Sequence, residues 1–429
     1  MITVISIVVG FAGIVVGLIQ LTKNPIRKKK FEPFVSKSPK ATSESIWISV
    51  NHSKSTIDYL EINKSFSKKI RKFLRDHYEV NINSFYNLQQ VDEISGTINY
   101  KISSRVFQKH PYLFRIHKRF SDEFSLSCLQ KVQKHIYLSD CFQNSPHREC
   151  LNPIITKSGE SYTFFGEHLV EVYPFASNAE HFSGESIQQI KSLAYKYGCV
   201  QKKLKELNSE TNIELLSDKC PNLFWFNKNT PDLDLYRNIM ECNDRAIKSC
   251  NVSRFTELFN NNKRIIEETW DQIKQRIVEP KLKNLPILHD FHPHNCFFIG
   301  HDCTLIYDYE AVSRYWSLSE ALAFTLHRFT REYLRNQIVK ANTPISYIIP
   351  QTVDTFLESY SNSGDQVPTH FTQELSHEIK VPNMAKLLGI MSYYYKLHPD
   401  PAGRPEDVWY MELKKFISFI KEAEFYKRI

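Results

Sequence analysis

The hydrophobic pattern of this chain changes period near Ser183, and that change limits what it can fold into. Upstream, residues 84–91, 96–103, 112–118, 162–165 and 168–175 are short runs rich in β-branched and aromatic residues, parted by turn signals. The last of them, HLVEVYPF, is almost continuously apolar. Helical stretches are predicted over 65–80 and 126–138. Downstream, Ile187, Ile190, Leu193, Tyr197, Val200 and Leu204 recur at helical spacing, so 184–207 is predicted to be an amphipathic helix. Further helices are predicted over 254–277, 319–340, 348–360, 383–395 and 405–425, with a strand-like, loop-rich interruption at 286–310. A β-rich part feeding a mostly helical part predicts an α+β fold. Only 12 glycines are present, which excludes Gly-rich phosphate loops of the Walker or Rossmann kind.

The first 22 residues carry no charged side chain. As a helix they would span about 33 Å, enough for the hydrocarbon layer of a bilayer. Lys23 and the run Arg27–Lys30 follow at once, the reverse of the charge order in a cleaved signal peptide. The positive-inside rule then puts everything after Lys23 in the cytoplasm, and the run reads as a single-pass transmembrane anchor. Residues 23–45 read as basic flank and linker.

Charge follows the same division. The formal net charge is +8. Residues 1–40 hold seven Lys or Arg and one Glu, or +6, so the remaining 389 residues share +2. A nearly neutral body argues against a nucleic-acid-coating protein. The nine cysteines are odd in number, and none are spaced C-x-x-C. That pattern suits reduced thiols in a cytosolic setting better than a disulfide framework or a zinc ribbon.

The segment with the most chemistry is 285–310, LPILHDFHPHNCFFIGHDCTLIYDYE. Asp290 and Asn295 stand five apart. A short apolar hairpin over 296–306 separates them from Asp308 and Glu310. Phosphoryl transfer from Mg·ATP needs a carboxylate to orient the attacking hydroxyl and take its proton, and hard oxygen ligands, usually an Asn and an Asp, to hold Mg²⁺. A D-x-x-x-x-N loop followed by a hairpin ending in Asp supplies both from one unit.

This segment resembles the aminoglycoside phosphotransferase/choline kinase-like family of protein-kinase-like small-molecule kinases. That family's catalytic loop reads roughly H-G-D-x-H-P-x-N and its metal strand I-D-F/W-E. Here the matching residues are Leu288-His289-Asp290-Phe291-His292-Pro293-His294-Asn295 and Ile306-Tyr307-Asp308-Tyr309-Glu310. The resemblance implies a two-lobed protein-kinase-like fold, with an N-lobe over 46–175 and a helical C-lobe over 176–429, after the anchor at 1–22. It implies ATP and Mg²⁺ as cofactors and a small-molecule hydroxyl as acceptor. By the same resemblance Asp290 is the catalytic base, Asn295 and Asp308 are the metal ligands, and His292 and Pro293 shape the loop. The family's first His falls on Leu288 and its Gly on His289, a departure at a position that supports the loop. No clear match exists in 319–323 for the Asp that often follows the metal strand.

The upstream block is similar to the family's nucleotide-binding sheet. Residues 91–103 (VDEISGTINYKIS) resemble the covering hairpin, with the single glycine Gly96. Arg115 in YLFRI takes the place of the basic residue that pairs with ATP phosphates, with Lys118 as the alternative and Glu123 as the nearest candidate for its acidic partner. Residues 168–175 resemble the hinge strand, where backbone groups near Val172 and Tyr173 would hold adenine.

Other readings of the same residues compete. Leu288, the lone Gly96 and Arg115 would equally suit a degenerate kinase-like domain that binds nucleotide or a partner as a membrane-tethered scaffold. His289, His292 and His294 could form a metal site of a phosphohydrolase. Tyr315, Trp316, Tyr393–Tyr395, Trp409 and Tyr410 could line a box for a cationic substrate, although helix-core packing accounts for them more simply.

Overall fold

Alternation along one short strand orients the first half of the structure. The computed structural model describes residues 64–78, 85–94, 97–104, 112–117, 138, 152–166, 168–176, 179–210, 232–249, 252–278, 285–309, 312–313, 317–341, 344–397 and 406–427. The predicted anchor and linker (1–45), most of the helix at 126–138, Gly96, Lys118, Glu123, Glu310, Tyr315 and Trp316 lie outside the described residues. All described residues belong to one unit, 59–429.

Helix α1 (Lys64–His77) precedes an antiparallel sheet of β1 (Phe85–Ile94), β2 (Thr97–Ser104), β3 (Tyr112–His117), β4 (Thr163–Phe165) and β5 (His168–Pro174), in the order β1-β2-β3-β5-β4. Residues alternate between the two faces of a strand. On β3, Phe114 and Ile116 point one way and join Tyr100, Ile102, Val170 and Val172 in a core with Ile70, Phe73, Leu74 and Tyr78. The register pairs Arg115 with Asn99 on β2 and with Glu171 on β5, so the opposite face of the sheet is polar. These are the strands that the sequence pattern predicts.

The helical part begins with α2 (Ile187–Glu210), followed by α3 (Asp232–Lys248), α4 (Arg254–Asn261) and α5 (Lys263–Val278). Next come β6 (Ile287–Leu288), a single 3₁₀ turn at Pro293–Asn295, the hairpin β7 (Cys296–Ile299) and β8 (Asp302–Ile306), and β9 (Val312–Ser313), which pairs with β6. Helices α6 (Leu318–Ala341), α7 (Ile345–Asn362), α8 (Phe371–Tyr394) and α9 (Glu406–Glu422) complete it, with a 3₁₀ turn at Ala423–Tyr426. One apolar core joins α2, the hairpin, α6 and α7; a second joins α3, α4, α5, α8 and α9.

Two predicted helices change their bounds, and one helix is additional. The helix expected over 254–277 is two helices broken at Asn262, whose side chain donates to Leu258 O at 2.7 Å and so caps α4. Helix α3 was not predicted at all. Helix α8 begins at Phe371 rather than near 383, and it runs through Pro382. Proline signals a break, but nearly every residue of α8 from Leu375 onward is buried, so packing on all sides overrides that signal and erases any amphipathic period.

The chain leaving β5 is tied to the hairpin. Glu180 and Phe298 exchange backbone hydrogen bonds of 2.9 and 2.7 Å. This bridge fixes where the sheet's exit strand meets the loop that carries Asp290.

Candidate active site

The loop around Asp290 is positioned by its backbone before any of its side chains act. The carbonyl of Leu288 accepts from Tyr197 Oη at 2.6 Å and from Gln201 Nε2 at 2.9 Å, while Leu288 N donates to Gln201 Oε1 at 3.3 Å. One buried glutamine thus satisfies both polar groups of a buried peptide unit, as burial requires. The expected departure at Leu288 is accommodated here: its side chain joins the core, and α2 supplies support that a side chain at 288 does not. Helix α2 lies close against the end of α7 because residue 198 is glycine. A Cβ there would collide with the Ser363 side chain and approach Tyr360 O at 2.9 Å.

The turn that follows is built from its own sequence. His292 caps the 3₁₀ turn, its Nδ1 accepting from His294 N at 3.3 Å, and Pro293 occupies the first position, where no N–H is needed. Burial pushes the His292 ring down to about 3, against the pull of Asp290, which keeps the ring neutral and able to accept that bond. Asn295 N donates to His292 O at 2.8 Å, and Asn295 O accepts from Tyr307 N at 3.0 Å. The second bond sets the end of the β7–β8 hairpin beside the loop. Asn295 Nδ2 then donates to Asp290 O at 3.1 Å and to Asp308 Oδ2 at 3.2 Å. Asp308 has a positive φ of 69°, a left-handed backbone that Asp tolerates better than most residues. Asp290, Asn295 and Asp308, distant by 5 and 13 residues, are brought together as predicted.

A residue not anticipated from sequence completes the site. Lys386 Nζ, on α8, donates to Asp290 Oδ1 at 2.5 Å. Lys386 is 9% exposed and the Asp290 side chain 32%, so the carboxylate keeps access to solvent while its partner is buried. Burial opposes the charge on Asp290, but the Lys386 ammonium beside it outweighs burial and holds the carboxyl well below the usual range. The only sequence signal was a lysine in a helix that is otherwise buried.

On the sheet side, Arg115 faces Glu171 across β3 and β5. Glu171 is buried, and accepts from His117 Nε2 at 2.7 Å and from Tyr173 Oη. Burial raises its pKa, but His117, Arg115 and Tyr173 together reverse the shift and take it down to about 2. Sequence reasoning passed over Glu171, although an acid within the apolar run HLVEVYPF was a usable signal. The carbonyl of Val172 accepts from Ile154 N at 2.6 Å, and β5 pairs with β3 along its length. Tyr173 is buried with its hydroxyl turned to Glu171.

Asn295 and Asp308 offer an amide and a carboxylate within hydrogen-bond distance, a hard donor pair that suits Mg²⁺ when phosphates and water complete its octahedron. Among the described residues no group of three or more His, Cys, Asp or Glu side chains is placed to hold a metal ion. Of the described aromatics, Trp409 is core and Tyr393–Tyr395 pack half-buried against it: Tyr394 stacks on Phe255 with centroids 3.7 Å apart and Tyr393 on Trp409 at 5.5 Å, while the half-buried Tyr410 lies under Arg254.

No known protein-family model and no curated protein sequence matches the chain. Solved structures do. A spectinomycin phosphotransferase bound to ADP and spectinomycin superposes with a TM-score of 0.54 at 12% identity, over 83% of this chain and 98% of that one. Its AMP-bound complex gives 0.51 at 15% identity over the same shares. The chain has the aminoglycoside phosphotransferase fold. An amicoumacin kinase bound to AMP-PNP, Ca²⁺ and its antibiotic gives 0.50 at 12% identity, over 85% of this chain and 96% of that one.

Glu171 yields a test of the sheet network. A carboxylate whose pKa is lowered on folding adds stability above its unfolded value, and that stability is lost as pH falls through the folded value. Glu171→Gln should cost about 1.5–3 kcal/mol near neutral pH, the range for hydrogen bonds to a charged group. In thermal melts across pH, the gap between wild type and variant should close as pH falls from 4.5 towards about 2. A gap that stays constant through that window would contradict the assignment.

Proposed function

We propose that the chain is a phosphotransferase that uses Mg·ATP to phosphorylate a hydroxyl group of a small molecule. The observation that carries this reading is the convergence of Asp290, Asn295 and Asp308 on one side chain's hydrogen bonds, within a fold shared with solved small-molecule phosphotransferases. Bound Mg·ATP would supply the phosphoryl group and a metal to neutralise charge on it. Asn295 and Asp308 hold that metal. Asp290 would accept a hydrogen bond from the acceptor hydroxyl through the oxygen not bonded to Lys386, and take its proton as the hydroxyl oxygen bonds to the γ-phosphorus and the γ-phosphorus–oxygen bond to ADP breaks, ADP leaving with that electron pair. Lys386 keeps Asp290 ionised and fixes its orientation. Arg115, set by Glu171, faces the phosphates from the sheet. Backbone groups near Val172 and Tyr173, at the end of β5, would hold adenine.

Asp290→Asn should lower phosphoryl transfer about 10²–10⁴-fold, the usual contribution of a general base. ADP release by the full-length chain, with and without a panel of alcohols, measures it. Unchanged activity would sink the assignment of Asp290, and nucleotide binding without transfer to any alcohol would favour the degenerate scaffold.

The same reading places the domain at a membrane, held by residues 1–22 and facing the cytoplasm. Its support is the uncharged run of 22 residues with its basic flank; among the described residues no helix is long and apolar enough to cross a membrane. The full-length chain should float with liposomes and resist extraction by carbonate, whereas a chain starting at residue 41 should not. Equal behaviour of the two would refute anchoring.

A further inference from the structure

Four cationic side chains gather on the helices beside Asp290. Helices α6, α8 and α9 bring Lys386, Arg328, Arg331 and Lys415 onto a small set of aromatic rings. Lys386 Nζ and the Arg328 guanidinium both sit over Phe324, at 4.8 and 5.7 Å from its centroid. Arg328 and Arg331 both sit over Phe419, at 4.8 and 4.9 Å. Lys415 lies 4.8 Å over Phe416, whose ring is 5.4 Å from that of Phe419.

Three of these cations already have carboxylate partners. Lys386 is bonded to Asp290, Arg331 to Glu422 at 3.1 Å, and Lys415 to Glu412 at 2.5 Å. Arg328 differs. Among the described residues no acceptor lies within hydrogen-bond or ion-pair distance of its guanidinium, although the residue is half-buried. Burial pushes its pKa down, against the pull of the nearby carboxylates of Asp290, Glu412 and Glu332, of which Asp290 is the strongest. A half-buried guanidinium keeps five donors in a planar fork, suited to carboxylate or phosphate and costly to leave without a partner. Its neighbour Lys386 reaches the base itself. An amine on the acceptor would meet both as like charges, whereas an anion would complete the cluster.

We propose that the acceptor is an alcohol that also carries a carboxylate or phosphate group, which Arg328 binds while its hydroxyl rests on Asp290. This rests on the phosphotransferase reading and narrows its substrate class. It gives Arg328 a role in specificity, with Lys386 as a second contact to the anion or its field.

Binding tests it without requiring turnover. The full-length chain, saturated with Mg·ADP, is titrated calorimetrically with glycerol 3-phosphate and gluconate against glycerol, glucosamine and kanamycin. The anionic probes should bind in preference to the neutral and cationic ones. Arg328→Gln should weaken them about 10- to 100-fold, the worth of hydrogen bonds to a charged group. Arg328→Lys, which keeps the charge, should retain the preference. The ADP titration in each variant reports that the chain is folded. Preference for glucosamine or kanamycin, no preference by charge, or anion binding indifferent to Arg328→Gln would each overturn the proposal. Transfer of phosphate to a neutral or cationic alcohol alone would do so while leaving the phosphotransferase reading intact. ADP binding without transfer to any alcohol would instead remove that reading.

Discussion

A single amide carries the geometry of the site. Asn295 Nδ2 reaches the backbone of Asp290 and the carboxylate of Asp308 at once, at 3.1 and 3.2 Å. Those two bonds hold the loop and the hairpin in one arrangement. They add to the backbone bond from Tyr307 N to Asn295 O, which sets the hairpin's end beside the loop. Each bond is worth about 1 kcal/mol net, with more for the one to a charged group. Its effect here is chiefly positional, because a base displaced by even 1 Å costs much of the catalysis it could give.

That amide works because the surrounding helices hold the loop from both sides. Helix α2 grips Leu288 through Tyr197 and Gln201, and α8 sets Lys386 against Asp290. The first fixes the backbone and the second the charge. Charge on Asp290 is unfavourable in a site this enclosed, and only its cationic neighbours make it stable. The sheet repeats the scheme with Glu171, a buried acid ionised by its partners and placed to orient Arg115.

How much of this was legible in the sequence follows from the range of each interaction. Asp290, Asn295 and Asp308 lie within one local unit, so their closeness is legible from their spacing in the sequence. The β-strands showed in their alternation, and α2 in its period. Lys386 lies 96 residues from Asp290, and Gln201 lies 87 from Leu288. No local pattern encodes contacts of that separation. Arg328 was hidden for the same reason: it sits in α6, but its significance lies in Phe419 and Lys386 on other helices. Strand pattern likewise does not reveal that Ile154 N bonds the carbonyl of Val172. Helix α8 was truncated because proline and the absence of a polar face are ordinarily signs of an ending.

The central claim is that Asn295 and Asp308 form one metal site that depends on nucleotide. Titration of Mn²⁺ into the full-length chain, followed by the loss of its free EPR signal with and without ADP, tests it most directly. The account predicts tight Mn²⁺ binding only when ADP is present, lost in Asp308→Ala and weakened in Asn295→Ala while the thermal melt persists. Binding that ignores ADP, or that survives Asp308→Ala unchanged, would contradict it.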